Sequence, residues 1–150
     1  MVGFLTQSEI EAVISTNMIG RLGCTDGSIV YVVPISYFYN GVDIILHSKE
    51  GMKIDMMRSN PNVCFLVDEL HSFNNWKSVV VWGEYMEVID DSEKEFLMKD
   101  FVQRMLYVKM SVTALPPEQF PMRIHPREEP ISFVVYKIVI SKMTGRYESP

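Results

Sequence analysis

Hydrophobic and polar positions alternate with different periods along this chain, and the changes of period mark its elements. In "TQSEIEAVISTN" (6–17), Ile10, Val13 and Ile14 recur on one helical face, and Thr6 stands three residues before Glu9 as in a capping box. A short N-terminal helix is therefore predicted, lying over one end of a sheet or barrel. The next three runs, "MIGRLGC", "SIVYVVPISYFY" and "VDIILHS", follow a period of two and are separated by Asp26-Gly27 and Asn40-Gly41. Those dipeptides supply the positive φ of tight hairpin turns, so three consecutive strands form an antiparallel meander. Pro34 within the second run has no amide hydrogen, which places it at an edge, at a bulge, or where the strand faces something other than another strand.

After Ser48 the period becomes helical, with Met52, Met56 and Met57 inward and Lys49, Lys53, Asp55 and Arg58 outward, until Asn60-Pro61 ends the turn. "NVCFLVDEL" is a strand, "HSFNNWK" reads as a connection, and "SVVVWGEYMEVI" is a long strand with Gly83 allowing a bend. "DDSEKEFLMKDFVQRMLYVKM" begins with acidic residues and repeats apolar positions at 97, 101, 105 and 108, which predicts a helix. The proline-rich "TALPPEQFPMRIHPREEP" is a connection or excursion, and "ISFVVYKIVISKMTGRY" closes the chain as a last strand. Six strands with few helices suit a small antiparallel β-barrel, because closure removes exposed edges. A two-layer α+β sandwich satisfies the same pattern. No repeat or linker divides residues 1–150, so a single domain is expected.

Composition narrows the functional classes. With 47% hydrophobic and 22% charged residues the chain is globular, not disordered, and a net charge of −5 argues against a general nucleic-acid binder while leaving room for a local basic pocket. The N-terminus lacks the basic and long apolar regions of a secretory signal, and no window approaches a membrane span, so the expected location is cytoplasmic with no membrane partner. Cys24 and Cys64 form no CxxC and have no nearby histidine pair; both read as buried reduced thiols, with no metal site. There is no nucleophile elbow, phosphate-cradling GxxxxGK[ST] or HExxH.

One junction carries candidate chemistry. In "HSKEGMKIDMMR", Lys53 follows Gly51 by two residues and Ser48 supplies a hydroxyl, and the amides of a first helical turn favour an anion. Local rules equally allow a helix cap and a solvated lysine. On a period of two, Asp43, Ile45 and His47 share one face and Ile44, Leu46 and Ser48 the other, so His47 and Ser48 cannot both point into a barrel.

The succession Pro-Ile-Ser-Tyr (34–37), His-Ser (47–48), Gly-x-Lys (51–53), Asn-Pro (60–61) and Ser-Val-x-x-x-Gly (78–83) resembles the flavin-binding split barrels related to pyridoxamine 5′-phosphate oxidase. Within them it is most similar to the nitroimidazole-resistance flavoproteins, over about residues 18–90 and again in the last strand. That resemblance implies a six-stranded antiparallel split β-barrel holding FMN at the interface of a homodimer, with NAD(P)H as donor and a small electrophile such as a nitroaromatic as acceptor. It implies main-chain contacts from Pro34, Ile35 and Ser36 to the flavin ring and phosphate contacts from Ser48 and Lys53. His47 would lie near the ribityl-phosphate or substrate as the one catalytic candidate, with His71 a rival and His125 exposed between prolines. Trp76, Lys77 and Ser78 would reach the cofactor from the partner subunit; ordinary interface packing is the other reading of Trp76. Tyr31 and Met52 stand where the oxidase has arginines, and Ser78 where it has glutamine, so the resemblance does not carry the vitamin-forming activity. An alternative of another class is a non-catalytic flavin-, deazaflavin- or haem-binding module, with His47, His71 or His125 as axial ligand.

Overall fold

A computed structural model describes residues 1–112 and 133–150. The elements run β1 (Val2–Phe4), α1 (Gln7–Thr16), β2 (Ile19–Thr25), β3 (Val30–Ser36), β4 (Phe38–Tyr39), β5 (Asp43–Lys49), α2 (Met52–Ser59), β6 (Asn62–Ser72), β7 (Asn75–Glu87), α3 (Asp91–Val112) and β8 (Phe133–Glu148). All strand pairs are antiparallel, in the order β3-β2-β6-β7-β8-β5-β4, with β1 added to the end of β8. β3 and β4 are the two ends of this path yet adjoin in the chain at Tyr37, so the sheet curls until its ends meet.

The predicted turns form for the predicted reason. Gly27 and Gly41 have φ of 97° and 93°, and Asp26 Oδ1 and Asn40 Oδ1 each accept two backbone amide bonds across their turns. α1 closes its N-terminus with the Thr6–Glu9 capping box and buries Ile10, Val13 and Ile14.

Several expectations are corrected. Eight strands are present among the described residues, not six: β1 was missed, and the long run 28–39 breaks at Tyr37 into β3 and β4. "HSFNNWK" is not a loose connection but the tip of a hairpin, since β6 runs to Ser72 and β7 begins at Asn75, so Trp76, Lys77 and Ser78 lie within a strand. α2 starts at Met52 because β5 continues through Lys49, and it buries Ile54, Met56 and Met57 while Met52 is exposed. Cys24 is buried but Cys64 is exposed, because alternation turns Val63 and Phe65 inward and Cys64 outward. The 113–130 segment with His125, and the side chain at position 108, lie outside the described residues.

Two apolar clusters hold the fold. Inside the curled sheet, Leu22, Ile44, Leu46, Phe65, Val67, Val79, Val81, Tyr136 and Ile138 pack with the buried faces of α1 and α2. On the outer face of β5 and β8, Phe38, Ile45, Val88 and Val135 pack with Leu97 and Phe101 of α3. β5 and β8 thus lie between two cores, which is why Ile44, Ile45 and Leu46 are all buried in a row.

Candidate functional site

The curled sheet does not close into a complete ladder. Among the described residues β4 pairs with β5 only at Ile45 and Ile44, and β3 is bonded only to β2, so β3 and β5 approach each other without pairing. Pro34 therefore sits on an edge strand, where its missing amide costs no ladder bond. Continuing the β4–β5 register, Phe38↔Ile45 and Tyr39↔Ile44, back past Tyr37 sets the Pro34–Ser36 end of β3 against the His47–Ser48 end of β5 across this gap.

α2 begins at Met52, three residues after the end of β5 at Lys49. Gly51 is its N-cap and makes no side-chain cap bond, in contrast to the capping box of α1. Ser48 does not cap the helix. The first amides of α2 thus lack a side-chain acceptor, which is the arrangement that favours a bound anion. A Cβ built on Gly51 meets nothing within 4 Å and its φ of 167° is ordinary extended backbone, so the chain's own packing does not require glycine there. Lys53, half-buried in the first turn, has no carboxylate partner among the described residues, whereas Arg58 at the other end of α2 is held by Glu50 and Glu87. Those two carboxylates hold the guanidinium firmly protonated, and the triad fastens α2 to β7. Asp55 also lies in the first turn and offsets part of the local positive charge.

His47 and Ser48 face opposite sides, as the period of two requires. The His47 ring is edge-on to Phe101 at 4.6 Å and to Phe133 at 5.9 Å, beneath α3. Its Nδ1 is buried with no partner among the described residues, and burial pushes the imidazole below the usual histidine range. The ring is uncharged at neutral pH and adds no cation to the gap.

Ser48 points the other way. Its Oγ is buried beside the Tyr136 hydroxyl and, like the hydroxyls of Tyr85 and Tyr136, has no close hydrogen-bond partner among the described residues. These tyrosines were missed by sequence reasoning, although a signal existed. On a period of two Tyr136 shares the face of Val134 and Ile138, and an inward phenol in an apolar row calls for a polar partner.

Trp76, Lys77 and Ser78 are not brought to this gap. Ser48 pairs with Val134 of β8 and Ser78 with Arg146, a contour of roughly 40 Å along that strand at about 3.3 Å per residue. At that far end Trp76 Nε1 donates to Glu148 at 3.0 Å, and His71, Phe73 and Trp76 line an apolar cleft at the β6–β7 tip. A second cleft, of about 500 Å³, lies between the end of α1, β4 and α3, and begins one residue beyond Ser36. Neither includes Ser48 or Lys53. Among the described residues no cluster of histidine, cysteine and carboxylates can hold a metal ion, and no helix is long and apolar enough to cross a membrane.

A curled antiparallel sheet with one unpaired seam, and an uncapped helix start at that seam, defines a split barrel. The family model for pyridoxamine 5′-phosphate oxidase matches residues 6–147, and the chain belongs to that family. An uncharacterised protein of Rhizobium meliloti (strain 1021) is 39% identical over 87 residues, and the chain spans 58% of the length of that curated relative. Among solved structures, a FAD-binding protein of Mesorhizobium loti is 29% identical with a TM-score of 0.78, over 100% of this chain and 98% of that one. A candidate 5-nitroimidazole antibiotic resistance protein of Bacteroides thetaiotaomicron is 24% identical with a TM-score of 0.70, over 98% and 87% of the two chains. At that identity the second likeness speaks for the fold alone.

Proposed function

We propose that this protein binds FMN at the interface of a homodimer and transfers electrons from NAD(P)H to a small electrophile, with nitroaromatics as the nearest class of acceptor. The observation that carries the reading is the convergence at one seam of the β3 edge, Ser48 and the uncapped start of α2 with Lys53, the edge and the lysine both without a partner among the described residues. A phosphate has only acceptor oxygens to offer, and this seam offers donors and a cation. The edge of β3 at Pro34–Ser36 presents main-chain groups to a flat ring, and a ring there would take up hydrogen bonds the strand does not make. When bound, a flavin supplies hydride acceptance and onward electron transfer, so the chain's own task is binding and orientation. His47 forms the α3 side of the site as an uncharged wall.

Trp76, Lys77 and Ser78 fit the reading only if a second copy brings its hairpin to this seam. An apolar stripe on the outer face, Val32 of β3, Cys64 of β6 and Trp82 of β7, lies on consecutive registers through Gly23, with Val30 beside it, and supplies a surface that self-association would cover. Family membership and the FAD-binding relative support a flavin; the nitroaromatic acceptor rests on the resemblance of residues 18–90. The decisive experiment is the spectrum of the purified protein, followed by chromatography of the released cofactor and anaerobic mixing with NADH or NADPH. Expected are flavin bands, about one FMN per chain, bleaching by the nicotinamide and reoxidation by a nitroaromatic. Released FAD would revise the cofactor, a Soret band would replace flavin by haem, and a colourless protein that takes up no added flavin would overturn the reading.

A further inference from the structure

Three buried hydroxyls without a close partner among the described residues lie on three neighbouring strands: Ser48 Oγ on β5, Tyr136 Oη on β8 and Tyr85 Oη on β7. Ser48 pairs with Val134 and Tyr136 with Leu46, so Ser48 and Tyr136 are diagonal neighbours on the inward face. The Tyr85 and Tyr136 rings are tilted against each other with centroids 5.1 Å apart, and Tyr136 is wholly enclosed. Packing does not explain the trio. Phenylalanine at 85 and 136 would fill the same space, and an unpaired buried hydroxyl is a cost that the fold carries without return.

A hydroxyl has one proton to donate and lone pairs to accept with. If Ser48 is to direct its proton at an anion, something must occupy its acceptor side, or the proton is as well spent on a neighbouring carbonyl. Resting on the flavin reading above, we propose that Tyr136 is the positioning residue for Ser48: the Tyr136 hydroxyl donates to Ser48 Oγ once the serine side chain rotates toward the seam, and the Ser48 proton then points at the flavin's 5′-phosphate. Tyr85 packs against the Tyr136 ring, with its own hydroxyl turned toward the Arg58–Glu87 pair. Burial raises the Tyr136 pKa and a hydrogen bond with Ser48 offsets it in smaller part, so the phenol keeps its proton at neutral pH. A 5′-phosphate on the ribityl chain is common to FMN and FAD, and the role is the same for both.

The test is titration of the cofactor-stripped protein with FMN and with riboflavin, which lacks the phosphate, for wild type, Tyr136→Phe, Ser48→Ala and the double variant. Expected is an FMN affinity about ten-fold weaker in Tyr136→Phe, as for loss of one hydrogen bond to a charged group, with riboflavin affinity unchanged and the thermal midpoint of the stripped protein not lowered. In the Ser48→Ala background Tyr136→Phe should add nothing. Equal weakening of FMN and riboflavin, or additive losses in the double variant, would make Tyr136 a packing residue and overturn the proposal. Phosphate-dependent weakening in Ser48→Ala with none in Tyr136→Phe would overturn the positioning role and leave the flavin reading standing, whereas a wild type that binds neither ligand overturns both. Should Tyr136→Phe not fold, 3-fluorotyrosine at position 136, a stronger donor of nearly the same shape, tests the same bond: tighter FMN binding with riboflavin unchanged is expected, and an unchanged FMN affinity counts against it.

Discussion

Removing the hydroxyl of Tyr37 should loosen the corner that joins the two ends of the sheet. Tyr37 is 1% exposed, its amide donates to Met18 O at 2.9 Å, and its Oη donates to Ile14 O at 2.7 Å. Ile14 is fully buried and belongs to the last turn of α1, whose carbonyls have no intrahelical partner. α1 has no glycine C-cap; its residue there, Asn17, is extended and donates its own Nδ2 to Val13 O at 2.8 Å. Side chains therefore terminate this helix, and the Ile14 carbonyl depends on Tyr37. Tyr37→Phe keeps the ring and its edge-on packing against Phe65 at 5.0 Å, so the change isolates the hydrogen bond. A buried acceptor left without a donor costs about 1–3 kcal/mol, and with no route to water a value of roughly 2 kcal/mol is expected. For a chain of this size that corresponds to a fall in Tm of about 4–8 °C. Urea unfolding of the cofactor-stripped protein at fixed concentration measures it, since bound flavin or a changing dimer population would add its own stabilisation. A loss below about 0.5 kcal/mol would refute the reasoning, because it would mean the carbonyl finds another donor.

Ser48→Ala combined with Lys53→Ala should weaken FMN binding by about 2–4 kcal/mol, as for two charge-assisted bonds, and a calorimetric titration that finds no change removes both residues from the phosphate. The glycines 51 and 83 should separate binding from folding. A Cβ on Gly83 would lie 2.3 Å from Val139 O, so Gly83→Ala should cost about 1–3 kcal/mol or more, whereas Gly51→Ala should cost no more than about 1 kcal/mol while weakening FMN binding; equal thermal midpoints for the two variants would contradict this. Alkaline stability provides a fourth check. Burial raises the pKa of Tyr37, Tyr85 and Tyr136, with Tyr85 pushed up to about 12, so the folded state favours the neutral phenols. That contribution is complete below the unfolded value near 10 and is lost above it, at roughly 1.4 kcal/mol per pH unit for each tyrosine. Urea midpoints taken between about pH 9 and 11 should fall, less steeply in Tyr37→Phe, and a flat profile would show that these phenols reach solvent.

What the sequence determined by itself was local. Asp26-Gly27 and Asn40-Gly41 encode their turns through φ, Thr6 and Glu9 encode a helix start, and a period of two already separated His47 from Ser48, because each of these depends on residues only a few positions apart. The ordered motifs from Pro34 to Gly83 were enough to indicate the split barrel. Tertiary structure decided the rest. Whether Tyr37 would break a strand depended on Ile14 and Met18 meeting it from α1. Whether Cys64 was inside depended on which face of β6 the barrel enclosed, and β1 exists only because the end of β8 is there to pair with it. The seam itself has no local signature: an unpaired edge is defined by the strand that does not arrive. The same holds for the phosphate candidates, since Ser48 and Lys53 were legible as residue types, but the uncapped start of α2 and the buried hydroxyls of Tyr85 and Tyr136 arise only where three strands and a helix converge.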